Sequence, residues 1–258
     1  MPHETLIVAR DGPVLKITMN RPEARNALTF EMYDRLAEIC AAAGGDDGIK
    51  ALIITGAGER AFAAGTDIAL FRGFASDADA HAYEARIEKA LTAIETCAVP
   101  TIAAIAGACT GGGAAIAVAC DLRIASTDAM FGFPVARTLG NCLSLANYGR
   151  LAAMIGAGRV MDLMLTARLV DAEGARSIGL VSEVLPDYAT LMARAGELTR
   201  TVAGHAPLTI RATKEALRRL REGRRDDADL IAMCYMSADF REGLEAFLAK
   251  RKPMWKGR

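Results

Sequence analysis

The sequence predicts an α/β protein made of repeated units of strand, glycine loop, helix and strand. The clearest unit has a buried strand at 101–106, a glycine turn at 111–113, a small-residue helix at 114–120 and a second strand at 122–125. A similar order precedes this unit along the chain. With 258 residues, of which 52% are hydrophobic and 24% charged, the chain can bury a large core. We therefore expect stacked ββα turns.

Strands open the chain. Residues 5–8 and 14–19 predict two strands, joined at Asp11 and Gly12, a dipeptide typical of hairpin turns. Residues 51–55 predict a short, wholly apolar strand. An apolar strand of this kind is expected in the interior of a sheet.

Two helices lie among these strands. Thr29 is a suitable cap for the first helix, and the glycines at 44–45 are suitable for its end. Residues 77–97 predict a long amphipathic helix with Glu84 and Glu88 one turn apart on the same face.

Helices predominate in the second half of the chain. They are predicted within 141–167, and Asp171 opens a further short helix. Residues 180–185 predict one more strand.

Beyond residue 187 the sequence predicts only helices, with breaks at Pro207 and near Gly223. We place a boundary here: residues 1–204 form the core, and residues 205–258 form a carboxyl-terminal helical region.

Charge and cysteine usage restrict the class of protein. Lysine plus arginine number 31, as do aspartate plus glutamate, which argues against nucleic acid or an anionic membrane surface as a partner. The basic run 211–225 is followed by an acidic run at 226–229, so a solvated helix face is expected there. Six scattered cysteines without metal-ligand spacing predict a reduced, cytoplasmic protein without a metal.

No targeting or membrane segment is expected. The amino terminus carries charges where a secretion signal has its apolar core. Residues 98–120 carry no charge, but they are mostly alanine and glycine, which favours a buried strand, turn and helix.

Five segments of the chain carry a family resemblance. They are NRPEARNAL at 20–28, FAAGTD at 62–67, GGG at 111–113, ACDLRIA at 119–125 and AFLAKRKP at 246–253. In sequence, order and spacing they resemble the enoyl-CoA hydratase/isomerase (crotonase) superfamily, whose members bind acyl-CoA thioesters. The resemblance implies a crotonase-like ββα spiral core. It also implies that the helical region associates into a homotrimer or a dimer of trimers.

The resemblance implies an oxyanion hole formed by the backbone amides of Thr66 and Gly112. Two such donors aimed at a thioester oxygen stabilise an enolate. Coenzyme A enters only as part of the acyl-CoA substrate, and no separate cofactor is expected.

The resemblance also implies the residues that hold coenzyme A. Arg25 corresponds to a cation near the nucleotide phosphates, and Ala64 lies beside the adenine pocket. Asp67 and Ile68 follow along the ligand. Phe247 and Lys250 match positions that often reach the coenzyme A of a neighbouring subunit, although Lys250 also fits a solvated charge on a basic tail.

The two glutamates that hydratases of this family use are absent. Ala115 occupies the first position, and Val135 occupies the second, in FGFPV. Plain hydration of a short enoyl-CoA is therefore expected to be weak. A lyase or isomerase acting on acyl-CoA, as in fatty acid metabolism, stays the leading hypothesis.

Other groups are candidates for the missing proton transfer or for attack. Ser144 stands where some relatives have an aspartate, although serine is equally suited to cap a helix. Glu88 lies on a helix that supplies a site residue in some relatives. Cys142 is a further candidate nucleophile, or a small packing residue. Two alternatives stay open: a CoA-binding or assembly subunit without catalysis, and a hydrolase or dehalogenase type of enzyme using Ser144 or Cys142.

Overall fold

The computed structural model describes residues 4–258. They form two sheets. The first has six strands in the order β1-β2-β3-β5-β7-β10, and the second has four in the order β4-β6-β8-β9. The strands are β1 Leu6–Asp11, β2 Val14–Met19, β3 Ala51–Gly56, β4 Ala61–Ala63, β5 Thr101–Ile105, β6 Ala108–Thr110, β7 Leu122–Ser126, β8 Met130–Gly132, β9 Val170–Asp171 and β10 Glu183–Leu185.

Helices connect and cover these strands. They are α1 Phe30–Ala42, α2 Asp77–Glu95, α3 Gly112–Ala119, α4 Val135–Thr138, α5 Leu145–Ile155, α6 Ala157–Thr166, α7 Ala172–Ser177, α8 Tyr188–Ala203, α9 Pro207–Arg221, α10 Ala228–Tyr235 and α11 Ala238–Leu248. Successive strands alternate between the two sheets. In the pairs β3 and β4, β5 and β6, and β7 and β8, the first strand lies in the six-stranded sheet and the second in the four-stranded sheet, as a spiral of ββα turns requires.

The predicted hairpin and first helix cap are confirmed. Strands β1 and β2 pair antiparallel, Asp11 is opposite Val14, and Gly12 between them has φ +55°. The remaining pairs of the six-stranded sheet are parallel. At α1, Oγ1 of Thr29 accepts a hydrogen bond from the Met32 amide, which satisfies one of the free donors of the first turn.

The glycine turn differs from the prediction. The sequence predicted a turn through all three glycines and a helix from residue 114, but α3 already begins at Gly112. A short strand, β6, precedes it and pairs with β4 and β8. The turn therefore falls on Gly111 alone, whose φ of +52° and ψ of −120° suit a residue without a Cβ atom.

The strand predicted at 180–185 is shorter in the structure. Only Glu183–Leu185 pairs, parallel to β7. The Leu180 amide instead donates to the Ala175 carbonyl and so closes the end of α7. Leu180 and Val181 are buried, which shows that their apolar character serves packing and not strand pairing.

The core lies on both faces of the six-stranded sheet. On one face α1, α2 and α3 contribute buried side chains such as Leu36, Leu91 and Ile116 to the larger cluster. On the other face Leu191 and Ala195 of α8 pack against the sheet. The second sheet and the start of α3 meet at the edge of the larger cluster, where the loops between them leave a cavity.

The carboxyl-terminal helices α9, α10 and α11 follow Gly204, as predicted. The division into a core of residues 1–204 and a helical region of residues 205–258 stays a prediction. Within residues 4–258, no helix combines the length and the apolar character needed to cross a membrane.

Candidate active site

The cavity has a volume of about 210 Å³ and lies where the loop after β4, helix α2 and the start of α3 converge. Thr66 lines it from the loop, Glu84 from α2, and Gly112 from α3. The fourth wall is α4 with the segment that follows it, including Val135 and Cys142. Residues far apart in sequence, at 66, 84, 112 and 142, therefore share one space.

Thr66 belongs to the cavity wall, and the neighbouring strand pairing does not use its backbone amide. Leu28 and residues 65–67 form a short parallel bridge, in which the Leu28 amide donates to Gly65 and the Asp67 amide donates to Leu28. The Thr66 amide lies between these bonds and points the other way. It meets no hydrogen-bond acceptor among residues 4–258.

The Gly112 amide is the second unbonded donor. Gly112 is the first residue of α3, so its N–H has no partner within the helix, and it makes no other hydrogen bond in the part of the chain that the structure describes. A Cβ atom at this position would lie 2.1 Å from the Tyr33 hydroxyl and 2.9 Å from Oγ1 of Thr66. Only glycine allows this close approach of α3 to Thr66.

Apolar side chains occupy both positions where the resemblance implied glutamates. Ala115 and Val135 are buried and line the cavity. The structure thus brings these two positions to the same space as the two amides, and neither of them carries an ionisable group.

Glu84 is the carboxyl group that does line the cavity. It is half-buried, and it makes no hydrogen bond or ion pair within the described residues. Loss of contact with water raises the pKa of Glu84, and the negative charge of Glu88 one turn away raises it further. Such a group exchanges a proton more readily near neutral pH than an ordinary exposed glutamate does.

Glu88 is not part of the cavity wall. Its two carboxylate oxygens pair with Arg150, at 2.5 Å from Nη2 and 2.9 Å from Nη1. The Arg150 side chain is only 3% exposed, and it also binds Glu95 at 3.1 Å. Glu88 therefore takes part in an ion-pair network between α2 and α5, and Glu84 replaces it as the candidate proton carrier.

Ser144 is the cap of α5. Its Oγ accepts a hydrogen bond from the Asn147 amide at 3.3 Å, and its side chain is not part of the cavity wall. Cys142 does line the cavity and is exposed. Asn147 also lines the cavity and is buried against the same wall, where its Oδ1 accepts from Arg150.

A chain of three hydroxyl groups lies behind the two amides. The Tyr33 hydroxyl is 3.0 Å from Oγ1 of Thr66, which is 3.0 Å from the Tyr83 hydroxyl. Tyr33 is fully buried, whereas Tyr83 lines the cavity. Sequence reasoning missed both tyrosines. A tyrosine on the apolar face of a predicted helix could have indicated them, because a buried tyrosine hydroxyl requires a hydrogen-bond partner.

Two of the residues expected to contact coenzyme A line the cavity, and two lie beside it. Ala64 and Ile68 are part of the wall. Arg25 is exposed, and its carbonyl accepts from the Ala64 amide at 3.0 Å. Asp67 accepts from the Ala69 amide and pairs with Arg21 at 3.0 Å. The Ala69 hydrogen bond, followed by Arg21, lowers the pKa of Asp67.

Phe247 and Lys250 lie apart from the cavity. Phe247 is 82% exposed at the end of α11, and it lines a separate apolar groove that also contains Trp255. Lys250 follows α11 and has φ +52°. Within one chain the structure does not bring these two residues to Thr66 and Gly112.

An α/β spiral in which residues with unbonded backbone amides line a cavity is typical of enzymes that act on carbonyl compounds. The sequence model for the enoyl-CoA hydratase/isomerase family matches residues 9–258. The chain belongs to this family.

Relatives and solved structures agree with this assignment. Crotonyl-CoA hydratase of Syntrophomonas wolfei is 32% identical over 260 residues, covering 98% of this chain and 98% of the relative. The 2,3-dehydroadipyl-CoA hydratase of Escherichia coli is 35% identical over 258 residues, covering 98% and 99%. The structure of an enoyl-CoA hydratase/carnithine racemase from Magnetospirillum magneticum matches with a TM-score of 0.91 at 32% identity, covering 99% of this chain and 96% of that one. The predicted crotonase fold is thereby confirmed.

Proposed function

We propose that the protein is an enzyme that stabilises the enolate of an acyl-CoA thioester between the amides of Thr66 and Gly112. The observation that carries the proposal is that Thr66 and Gly112 line one cavity and that neither backbone N–H group makes a hydrogen bond in residues 4–258. The steric fit of Gly112 against Thr66 supports a shared target for both donors. Donors fixed before the substrate arrives need no reorganisation as charge develops on its oxygen.

A second group must move the proton, and we assign that role to Glu84. One oxyanion donor contributes about 2.7–4 kcal/mol, so two contribute roughly 5–8 kcal/mol. Enzymes lower barriers by about 8–23 kcal/mol, and a positioned acid or base supplies a further factor of about 10²–10⁴ in rate. The location of Glu84 in the cavity wall and its raised pKa support this assignment.

The proposed reaction is proton transfer next to the thioester carbonyl, as in an isomerase or a lyase of this family. Hydration, the reaction named for the relatives from Syntrophomonas wolfei and Escherichia coli, is expected to be weak here. Ala115 and Val135 leave no carboxyl group at the two positions that the family resemblance assigns to activation of water.

For the coenzyme A part of the substrate we propose contacts with the exposed Arg25 and with the wall at Ala64 and Ile68. Asp67 supports the same loop through its bonds to Arg21 and Ala69. In an assembled homotrimer or dimer of trimers, Phe247 and Lys250 of a neighbouring subunit would complete the site. A cytoplasmic location stays a prediction.

The test compares turnover of a panel of acyl-CoA thioesters, crotonyl-CoA included. Any side chain at residue 112 meets the Tyr33 hydroxyl, so both test variants carry Tyr33→Phe. Adding Gly112→Ala keeps the amide N–H, whereas adding Gly112→Pro removes it. We expect the proline variant to turn over at least about tenfold more slowly than the alanine variant, with circular dichroism verifying the fold of both. Equal rates would contradict the proposed oxyanion hole.

A separate outcome would indicate a binding subunit. Tight binding of the thioesters by wild-type protein, without turnover of any panel member, would contradict catalysis. Glu84→Gln extends the test, because it removes the charge and keeps the shape of the side chain. A rate unchanged by Glu84→Gln would contradict the role assigned to Glu84.

A further inference from the structure

The hydroxyl groups of Tyr33, Thr66 and Tyr83 form a chain from the protein interior to the cavity. Both links are 3.0 Å long. The buried end lies against the proposed oxyanion hole, since a methyl group added at Gly112 would be 2.1 Å from the Tyr33 hydroxyl. The outer end reaches the cavity through Tyr83, which lines it together with Thr66.

The number of protons in this chain restricts where they lie. Three hydroxyl groups carry three protons, and the two links between them use two. Tyr33 is fully buried, and its hydroxyl has no partner besides Thr66 in the described residues. An unbonded donor there would carry a desolvation cost, so Tyr33 donates to Oγ1 of Thr66.

One proton is therefore left over at the cavity. If Thr66 donates to Tyr83, the Tyr83 proton is free. If Tyr83 donates to Thr66, the Thr66 proton is free. Both residues line the cavity, so either arrangement leaves one O–H donor beside the Thr66 amide.

We infer that this chain supplies a third, side-chain hydrogen bond to the thioester oxygen, in addition to the two amide donors. The inference rests on the proposed function, because it needs an oxyanion at this position. Hydrogen bonds in a chain polarise one another, so the donation from Tyr33 strengthens the last O–H as a donor. The bond involves no proton transfer, and Glu84 keeps the role of proton carrier.

The state of Tyr83 agrees with a donor role. Burial raises the pKa of Tyr83, the hydrogen bond with Thr66 opposes that rise, and the charge of Glu84 adds to it. The phenol consequently keeps its proton across the neutral range, where a donor is needed. An aromatic contact with Phe71, at 5.0 Å between ring centroids, holds the ring in place.

The decisive variant replaces all three hydroxyl groups: Tyr33→Phe, Thr66→Val and Tyr83→Phe together. It keeps the shape of the side chains, both backbone amides and Glu84, and it leaves no buried hydroxyl without a partner. The matched control is Tyr188→Phe, since Tyr188 opens α8 and packs against the smaller core cluster on the opposite face of the sheet.

Two readouts separate donation from mere packing. The first is kcat on the panel member that the wild type turns over, which we expect to fall at least about tenfold, with KM changed by less than about threefold. The second is the infrared stretching frequency of bound butyryl-CoA labelled with ¹³C at the carbonyl, a saturated probe that cannot be hydrated. Fewer donors polarise the carbonyl less, so the frequency moves back towards that of the free thioester.

The outcomes distinguish this inference from the function on which it rests. A wild-type carbonyl frequency equal to that of free butyryl-CoA would overturn the oxyanion hole and the third donor together. A wild-type shift that the triple variant reproduces in full would overturn only the third donor. A partial loss of the shift in the triple variant, with none in Tyr188→Phe, supports it. Thr66→Ser, which keeps a hydroxyl group, should then preserve most of the shift.

Discussion

The Tyr33 hydroxyl lies 3.0 Å from Oγ1 of Thr66, and no other group in residues 4–258 pairs with it. This one contact connects helix α1 with the loop that carries the proposed Thr66 donor. It also gives a fully buried phenol its only partner in the described chain. The stability of the site loop is therefore coupled to the side chain at residue 33.

Thr66→Val is expected to destabilise the protein by about 1–3 kcal/mol, because it leaves the buried Tyr33 hydroxyl without a partner. Adding Tyr33→Phe to this variant should recover most of the loss. Thermal unfolding at one protein concentration measures both effects. A double variant no more stable than Thr66→Val would show that the two hydroxyl groups are not coupled.

Glu84→Gln should stabilise the fold at neutral pH while it slows catalysis. The folded-state pKa of Glu84 is raised, so ionisation opposes folding above that pKa and has no effect below the unfolded-state pKa, where both states are protonated. The gain in melting temperature should consequently appear as pH rises from acid to neutral. Glu38→Gln, at an exposed position of α1, removes the same charge and is the control for the change in net charge.

Arg150→Met should cost at most about 3–5 kcal/mol, because it leaves the partly buried Glu88 without a cation, while Glu95 keeps its pair with Arg221. The control is Arg168→Met, which breaks an exposed, solvent-screened pair with Asp162 and should cost much less. Denaturant unfolding of both variants measures the difference. Equal costs would contradict a special role for the buried network.

Asp239→Ala should release the end of the chain. The Asp239 carboxylate is buried and accepts hydrogen bonds from the amides of Lys256 and Gly257, at 2.7 and 2.8 Å. Loss of these charge-assisted bonds should cost roughly 1.5–3 kcal/mol. Trp255 is the single tryptophan, so a red shift of its emission reports the release directly. Asp239→Asn, which keeps one acceptor, should show a smaller shift.

The exposed apolar side chains at the ends of α10 and α11 predict association. Met236, which directly follows α10, is 71% exposed, and Leu248, the last residue of α11, is 73% exposed. Aspartate at both positions should convert a trimer or hexamer into smaller species, because it would bury unpaired charges in the subunit interface. Light scattering after size-exclusion chromatography measures the mass. If the double variant has the same mass as the wild type, the subunit contact lies elsewhere.

Prediction from sequence succeeded where the signal was local. The hairpin at Asp11 and Gly12 and the cap at Thr29 depend on residues within a few positions of each other, and both are confirmed. The start of α3 was wrong by two residues. Glycine ordinarily disfavours a helix, which is why the sequence predicted a later start. Residues 112 and 113 are nevertheless helical, and they are glycines because other elements approach too closely for a side chain there.

The choice between Glu84 and Glu88 could not be made from the sequence. Both lie on one face of α2, and Glu88 was the candidate chosen from the sequence. Arg150, which lies 62 residues beyond Glu88 in the sequence, pairs with the Glu88 carboxylate and so leaves Glu84 as the candidate proton carrier. No pattern within α2 contains that information, because the partner comes from another helix.

By itself the sequence determined the family, the α/β class, the order of the elements and the absence of the two family glutamates. These depend on residue identities and on short-range periodicity, which the chain carries locally. Only the tertiary structure decided which carboxyl group faces the cavity, which amides lack an acceptor and which hydroxyl groups meet. Each of these depends on distances of about 3 Å between segments far apart in sequence, and such distances are set by how the packed elements come together.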